Sequence, residues 1–449
     1  MEPMLAPEGE EWKNVAEADL DHFGNTLRPR EEVLAEARQG IENHRKSDAQ
    51  WRLVDGNGEP MPGLKLEIEQ VTHAFEFGCS SGSTLAEEAE DPRIKARNAL
   101  FVKLFNCTTA KCYWDEKWHQ PIEQHQGQRI TQRFTDEIDW ARAYGLKVRG
   151  HPLVWTVPKA IPQWVRRYPY EKQLALMEHN CRSLIQAAEG RIKLWDLANE
   201  MLWEPSLRHL AQRDWPHLES TDEMLTYLEP AVHWARDEDP DAVYVLNDYG
   251  LEVTYTPLKD VTAAMQRRRF VELVDAMQQR GCAPDAVGTQ SHVGKWFPMD
   301  VVRKTLDELG QPGLPLQVSE YWAKPNDCPN ASELDDEQRQ AALVQYLGDF
   351  YTVVFGHPQV THLTYWGGAE FFDRGGWVPS PMYHALDALI NDAWRTRTQT
   401  TTDREGVLRF RGFHGNYVLR WTDPTGRPRS RRMELHRDVG NDTIVTLAY

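Results

Sequence analysis

Between residues 74 and 395 the sequence repeats one beat: a short apolar run that ends in polar residues, then a stretch with the composition of a helix. The runs are AFEFGCS, LFNCTTA, KVRGHPLVW, KLWDLANE, AVYVLNDYG, AVGTQSHVG, LPLQVSEYW and VTHLTYWGG. RFTDEIDWARAYG, QLALMEHNCRSLIQAAEG and DEQRQAALVQYLGDFYTVVFG are among the segments between them. Strands that are apolar along their length and alternate with helices predict a parallel sheet covered on its faces. Eight of them predict a closed (β/α)8 TIM barrel. An open doubly wound sheet is the competing architecture, but no GxGxxG phosphate loop accompanies it.

The flanks do not follow this beat. Residues 1–50 contain a charged amphipathic segment, REEVLAEARQGIENHRKS, and are expected to form a helical extension. Residues 51–73 alternate in LKLEIEQV and carry turn residues at Gly56, Asn57, Gly58, Pro60 and Gly63, which predicts β-strands outside the barrel. Residues 396–449, with GVLRFRGFHGNYVLRWTD, RRMELHRD and DTIVTLAY, predict a small accessory β-module able to pack with those strands. Its local basic run GRPRSRR reads most simply as a solvated face, and an auxiliary carbohydrate-binding role is the alternative.

A net charge of −17 argues against nucleic acid as a partner, since phosphate backbones demand a basic surface. No run reaches the length of a transmembrane helix. The acidic N-terminus has no apolar signal region, which points to the cytoplasm, or to secretion if a native leader has been removed. Six scattered cysteines without a CxxC pair read mostly as buried free thiols. Seventeen Trp, 15 Tyr and 14 Phe fit either a large aromatic core or a cleft of flat faces for sugar rings, and composition does not choose.

In a (β/α)8 barrel the carboxyl ends of the strands line the site. Here they offer His151 and Trp155, Asn199 and Glu200, Asn247, Asp248 and Tyr249, Gln290 and His292, Glu320, and Trp366. Glu200 ends the fourth strand and Glu320 the seventh, on opposite sides of a barrel mouth. A lone Glu at a strand end is ordinarily a solvated group. Two that face each other suit glycoside hydrolysis, which needs one acid for the departing oxygen and one carboxylate to attack or to activate water. No G-x-S-x-G elbow supports a serine triad, and no HExxH spacing supports catalytic zinc, so neither metal nor cofactor is expected.

The motifs, in order, resemble glycoside hydrolase family 10, the endo-β-1,4-xylanase family. GHPLVW is similar to its G-H-T-L-V-W run, WDLANE to W-D-V-V-N-E, LNDYG to N-D-Y, and GTQSHVG to Q-S-H. LPLQVSEYW is similar to its strand-seven T-E-L-D run and TYWGGAEF to its F-W-G run. The stretch VDGNGEPMPGLKLEIEQVTHAFEFGC resembles the leader strands of some multidomain members. The resemblance implies a retaining hydrolase of xylan or of decorated xylo-oligosaccharides, with Glu200 as acid/base and Glu320 as nucleophile. It further implies that Asn199 holds the sugar 2-hydroxyl and that Gln290 and His292 orient the nucleophile. His151 and Trp155 would lie on the glycone side and near the cleavage point, Tyr249 would join them as a substrate contact, and Trp366 and Trp377 would form an aromatic floor. For His151 or His292 alone, a satisfied core histidine is the simpler account.

Strand two departs from the family pattern F-N-x-x-T-x-E-N-x-x-K-W. In ungapped register FNCTTAKCYWDEKW sets Lys111 and Cys112 at the Glu and Asn positions and Asp115 at the Lys position. Thr156 and Tyr321 also differ from the usual residues. These changes are expected to rebuild the glycone pocket, with Lys111 meeting an acidic sugar substituent. Trp114 and Trp118 could add stacking faces or simply pack in the core. Two further functions stay open: the same chemistry on another β-glycoside, and a carbohydrate-binding protein without catalysis.

Overall fold

The computed structural model describes residues 27–80, 91–115, 121–204, 206–209, 217–254, 261–294, 296–372, 378–423, 425–437 and 442–447. Trp377, Trp118 and the first 26 residues lie outside these.

The eight apolar runs all become strands: β3 (Glu76–Cys79), β4 (Cys107–Lys111), β5 (Lys147–His151), β7 (Leu194–Asn199), β8 (Val243–Asp248), β9 (Ala286–Thr289), β11 (Leu316–Ala323) and β12 (Val360–Tyr365). Each pairs in parallel with the next, and β12 returns to β3 through His362 opposite Glu76, so the sheet closes. Two-residue strands β6 (Val154–Trp155) and β10 (His292–Val293) extend the third and sixth beats at the rim.

The outer ring of helices comprises α2 (Pro92–Leu104), α3 (Gln132–Ala143), α4 (Tyr170–Ala188), α5 (Thr221–Glu238), α6 (Ala263–Gln279), α7 (Met299–Leu309), α8 (Asp336–Gly356) and α9 (Pro381–Asp387). Capping boxes start α5, at Ser220 and Glu223, and α8, at Asp335 and Gln338, satisfying backbone N–H groups that the first turn leaves free. All six cysteines are buried free thiols. Among the described residues no helix is long and apolar enough to cross a membrane.

The barrel interior carries charge as well as apolar bulk. Residues two apart on a strand share a face, so Arg149 and His151 of β5 both point inward. Arg149 is fully buried and forms a two-pronged pair with Asp196 of β7; its Nε is 2.9 Å from Asp196 Oδ2, and it also binds Gln317 of β11. Gly150, between them, lets the Trp195 indole lie across the outer side of β5. A Cβ there would stand 2.1 Å from the ring.

The flanking segments form one β-sandwich. Strands β1 (Lys46–Val54), β14 (Val407–Phe413) and β17 (Asp442–Thr446) make one sheet, in the order β14-β1-β17. Strands β2 (Lys65–His73), β13 (Arg397–Thr401), β15 (Gly415–Thr422) and β16 (Pro428–Leu435) make the other, in the order β13-β2-β15-β16. Trp51, Leu53, Ile68, Leu408, Tyr417 and Leu419 fill the space between the sheets. β1 begins at Lys46, inside the segment expected to be a helical extension, because the alternating burial of Ala49, Trp51 and Leu53 already starts there. β2 leads directly into β3, so the sandwich meets the barrel where the strands begin, at the end away from the mouth.

Helix α1 (Arg30–His44) crosses α8 at a contact that only glycine permits. A Cβ on Gly40 would lie 2.2 Å from the Gly356 carbonyl oxygen, and one on Gly356 would lie 2.3 Å from that of Ala37. Both neighbours are backbone, so the helices must separate. Gly356→Ala is therefore expected to destabilise the fold by about 1–3 kcal/mol, read as a lower urea midpoint; an unchanged midpoint would mean the crossing is not tight in solution.

Candidate active site

β7 answers why an apolar strand ends in an acid and an amide. Trp195, Leu197 and Ala198 pack in the core, and the strand runs out at Asn199 and Glu200 on the rim. Glu200 adopts a left-handed backbone, with φ of 61°, and its N–H donates to the Asn247 carbonyl of β8 at 2.9 Å. Such a conformation costs a non-glycine residue of order 1–3 kcal/mol and persists where surrounding contacts hold it. Trp155 Nε1 donates to Glu200 Oε2 at 2.8 Å, and Gln290 Nε2 donates to Oε1 at 3.1 Å.

Across the mouth, Glu320 of β11 accepts from Asn247 Nδ2 at 2.9 Å through Oε1, and its Oε2 lies 3.1 Å from His292 Nε2. The two acids are joined by side-chain amides. Gln290 Nε2 also reaches Asn199 Oδ1 at 3.2 Å, and Asn247 Nδ2 reaches the same oxygen at 3.0 Å. Ser319 Oγ donates to Asn247 Oδ1 at 2.6 Å and fixes which end of that amide faces Glu320. Five strands thus converge on one pair of carboxylates.

The electrostatics separate these groups. Burial alone would raise the pKa of Glu320, but the His292 hydrogen bond and the charges of His151 and His292 outweigh it and hold the carboxyl below its ordinary value. His292 shows the complementary shift: burial lowers its pKa, yet Glu320 and Glu200 together raise it above the ordinary value. His151 stands with Nε2 4.0 Å from Glu320 Oε1, and its Nδ1 faces Asp196 Oδ2 at 2.6 Å. Burial would also raise Asp196, but Arg149 and His151 bring it down to about 2. A buried carboxylate therefore orients the imidazole that faces Glu320.

Aromatic faces complete the mouth. Trp366 lies 5.3 Å from the His151 ring and 6.3 Å from that of His292, centroid to centroid. Tyr113 packs against both His151 and Trp155. Lys111, at the tip of β4 and paired with His151 in the sheet, holds Nζ 4.8 Å from the centroid of Trp366. Burial lowers the Lys111 pKa, against the charges of Glu137 and Glu320. Beyond Glu200 in the chain, Trp203 stacks on Tyr249 at 5.6 Å and forms a wall with it.

Several expectations change. Tyr321 is fully buried and stacks on Phe350 of α8 at 4.0 Å, outside the barrel, because it follows Glu320 and takes the opposite face of β11. It is a packing residue and not part of the pocket. Cys112 is likewise buried, with its thiol facing the Pro152 carbonyl. Thr156 is buried too, and Trp114 packs edge-on against Trp164. Of the strand-two replacements, Lys111 alone reaches the aromatic mouth through a described contact. Asp248 receives the N–H groups of Leu202 and Tyr249 and supports the loop after Glu200. Asp196, Arg149, Tyr113 and Trp203 were not anticipated as site residues. The inward alternation of Arg149 and His151 in KVRGH is the available signal for Arg149.

Among the described residues, the two groups of His, Cys and acidic side chains close enough to share an ion include none of Glu200, Glu320, His151 or His292.

The sequence model for glycosyl hydrolase family 10 matches residues 69–398. Anti-sigma-I factor RsgI6 of Acetivibrio thermocellus is 26% identical over 420 residues, covering 91% of this chain and 49% of that protein. Endo-1,4-beta-xylanase C of Paenibacillus barcinonensis is 26% identical over 334 residues, covering 70% of this chain and 29% of that protein. The chain thus spans about half or less of the length of these relatives. Two solved structures share the fold: a family 10 protein from Paenibacillus barcinonensis and xylanase 10B of Thermotoga petrophila, the latter in complex with xylobiose. Both superpose with a TM-score of 0.54, at 21% and 17% identity, over 71% of this chain and 96% and 95% of theirs. With the family model spanning most of the chain and both acids at the barrel mouth, the chain belongs to glycosyl hydrolase family 10.

Proposed function

We propose that this protein is a retaining glycoside hydrolase that cleaves β-1,4-xylosidic bonds in xylan or xylo-oligosaccharides. The observation that carries this reading is the amide-linked pair of carboxylates: Glu320, held ionised by its histidines, and Glu200, gripped by Trp155 and Gln290. In the first step a Glu320 oxygen bonds to the anomeric carbon while Glu200 gives its proton to the departing glycosidic oxygen. In the second, Glu200 takes a proton from water, the water oxygen bonds to the same carbon, and the Glu320 ester breaks. The oxygen of Asn199 is occupied by two amide donors, which leaves Nδ2 to donate to the 2-hydroxyl. His151 and Trp366 bound the ring on the glycone side.

The test is the product anomer. Hydrolysis of xylo-oligosaccharides followed by NMR should show the β-anomer first. First appearance of the α-anomer would replace retention with inversion. Sugar binding without cleavage of any xyloside, aryl xylosides included, would make the protein a non-catalytic carbohydrate binder, and cleavage confined to other β-glycosides would move the substrate.

Lys111 supports a finer reading, in which the substrate carries an acidic substituent. Its ammonium stands at the Trp366 face where family members place a carboxylate, and a sugar carboxylate there would gain a charge-assisted hydrogen bond. Oligosaccharides bearing glucuronic acid should be turned over faster than plain ones, and Lys111→Ala should erase about ten- to hundredfold of that preference. Equal rates on both substrates, unaffected by the substitution, would overturn this reading.

A further inference from the structure

The loop that leaves Glu200 and reaches α5 carries a group of side chains that the hydrolytic chemistry does not use. His209, His217 and Glu219 each offer a donor atom, and the three atoms lie within 4.8 Å of one another. The imidazole rings of His209 and His217 sit 5.0 Å apart, centroid to centroid. Glu219 is 3% exposed; one of its oxygens accepts from the Ser206 N–H at 2.5 Å, and the other is buried with no hydrogen-bond partner among the described residues. An unsatisfied oxygen on a buried carboxylate is costly unless something pairs with it. Glu223 places Oε1 3.6 Å from His209 Nε2, close enough to orient that ring as carboxylates orient metal-bound histidines.

From these contacts we infer that His209, His217 and Glu219 form a binding site for a structural zinc ion or a similar borderline divalent cation. Two imidazoles and one carboxylate suit Zn2+ and leave a fourth position for water. Donors on a tetrahedral zinc stand roughly 3.3 Å apart, so binding needs only a short contraction of the group.

The second candidate cluster in the molecule shows the contrast. Glu76, Cys107 and His362 also lie together, but His362 already holds Glu76 and Thr364 with its two ring nitrogens, and Glu76 is paired with Lys147 at 2.7 Å. That group is satisfied internally. The second oxygen of Glu219 is not.

The position gives the ion a structural role. Both stems of the loop are already tied to α6: Arg269 donates to the carbonyls of Leu202 and Glu219, and Gln266 Nε2 donates to Leu202 at 2.9 Å. His209 and His217 are eight positions apart in the chain, so a shared ion would tie those two positions together as a crosslink does. The His217 N–H also donates to the Trp203 carbonyl at 3.0 Å, and Trp203 stacks on Tyr249. Zinc here would set the cleft wall beside Glu200 without touching the reacting atoms.

The test is titration of ZnCl2 into the EDTA-treated, dialysed full chain by isothermal calorimetry, with thermal melting in parallel. One Zn2+ per chain in the micromolar range or tighter is expected, together with a rise in melting temperature that MgCl2 does not produce. His217→Ala and Glu219→Gln should each weaken binding by at least about tenfold while melting like the parent protein in EDTA. Glu219→Gln retains the oxygen that accepts from Ser206, which keeps that comparison clean. Absence of stoichiometric binding, or binding that both substitutions leave unchanged, would overturn the assignment.

Discussion

Glu320→Gln is expected to lower turnover of xylo-oligosaccharides by on the order of 10³-fold or more, as removal of an attacking group does in other covalent enzymes. The amide keeps the side chain's size but has no charge to attack the anomeric carbon. Its NH2 must also face either Asn247 Nδ2 or His292, both of which now point at a carboxylate. Glu200→Gln should differ in a diagnostic way. The departing oxygen of an aryl xyloside with an acidic phenol needs little protonation, so the first step survives there and a burst of phenol precedes a slow steady state. Glu320→Gln should show no burst on either substrate class. Equal losses on both would refute the division of roles between the two acids.

The same pair fixes a pH dependence. In the proposed mechanism Glu320 acts as a carboxylate, and its pKa is held below the ordinary value, so the acid limb of kcat/KM should fall below the usual carboxylate range. Replacing His292 by Leu removes a hydrogen bond and a nearby charge, and the His151 charge is left to oppose burial with less help. That raises the Glu320 pKa, and the acid limb should move to higher pH.

Much of this site was legible in the sequence because a parallel barrel converts strand order into geometry. Once eight apolar runs were counted, the polar residue ending each had to lie at one mouth, and Glu200, Glu320, Asn199, Gln290 and His292 do meet there. Register within a run was less legible. Tyr321 next to Glu320 looked like a pocket residue, but the period of two sends it to the helical layer, and Cys112 beside Lys111 is buried in the same manner. Asp196 is a polar residue of WDLANE in the sequence, but nothing local shows that it pairs with Arg149, 47 residues earlier. The sandwich was legible only in halves: its alternating strands could be seen, but the pairing of β1 with both β14 and β17 depends on contacts between chain ends that no local pattern specifies.

Arg149→Met should cause the largest loss of stability, about 3–5 kcal/mol at neutral pH. Methionine has similar length and no charge, so the fully buried Asp196 keeps only His151 as a charged partner and Gln317 loses its donor. The sign of the pH dependence follows from the shift. In the parent protein the folded pKa of Asp196, about 2, lies below the unfolded value of about 3.9. Its ion pair therefore stabilises the fold above the unfolded pKa and is lost as pH falls through the folded one. Without Arg149 only His151 opposes burial, so the folded pKa of Asp196 rises and the ionised form loses most of what it adds to stability. The deficit in denaturant midpoint should then be greatest near pH 7 and shrink towards pH 4, where Asp196 can fold protonated. Arg149→Met combined with Asp196→Asn removes the stranded charge and should recover part of the stability. It should not recover turnover, because the His151 Nδ1 that faces Asp196 at 2.6 Å loses the carboxylate that orients its ring towards Glu320. A deficit that is the same at both pH values would show that packing, and not the buried charge, is what Arg149 supplies.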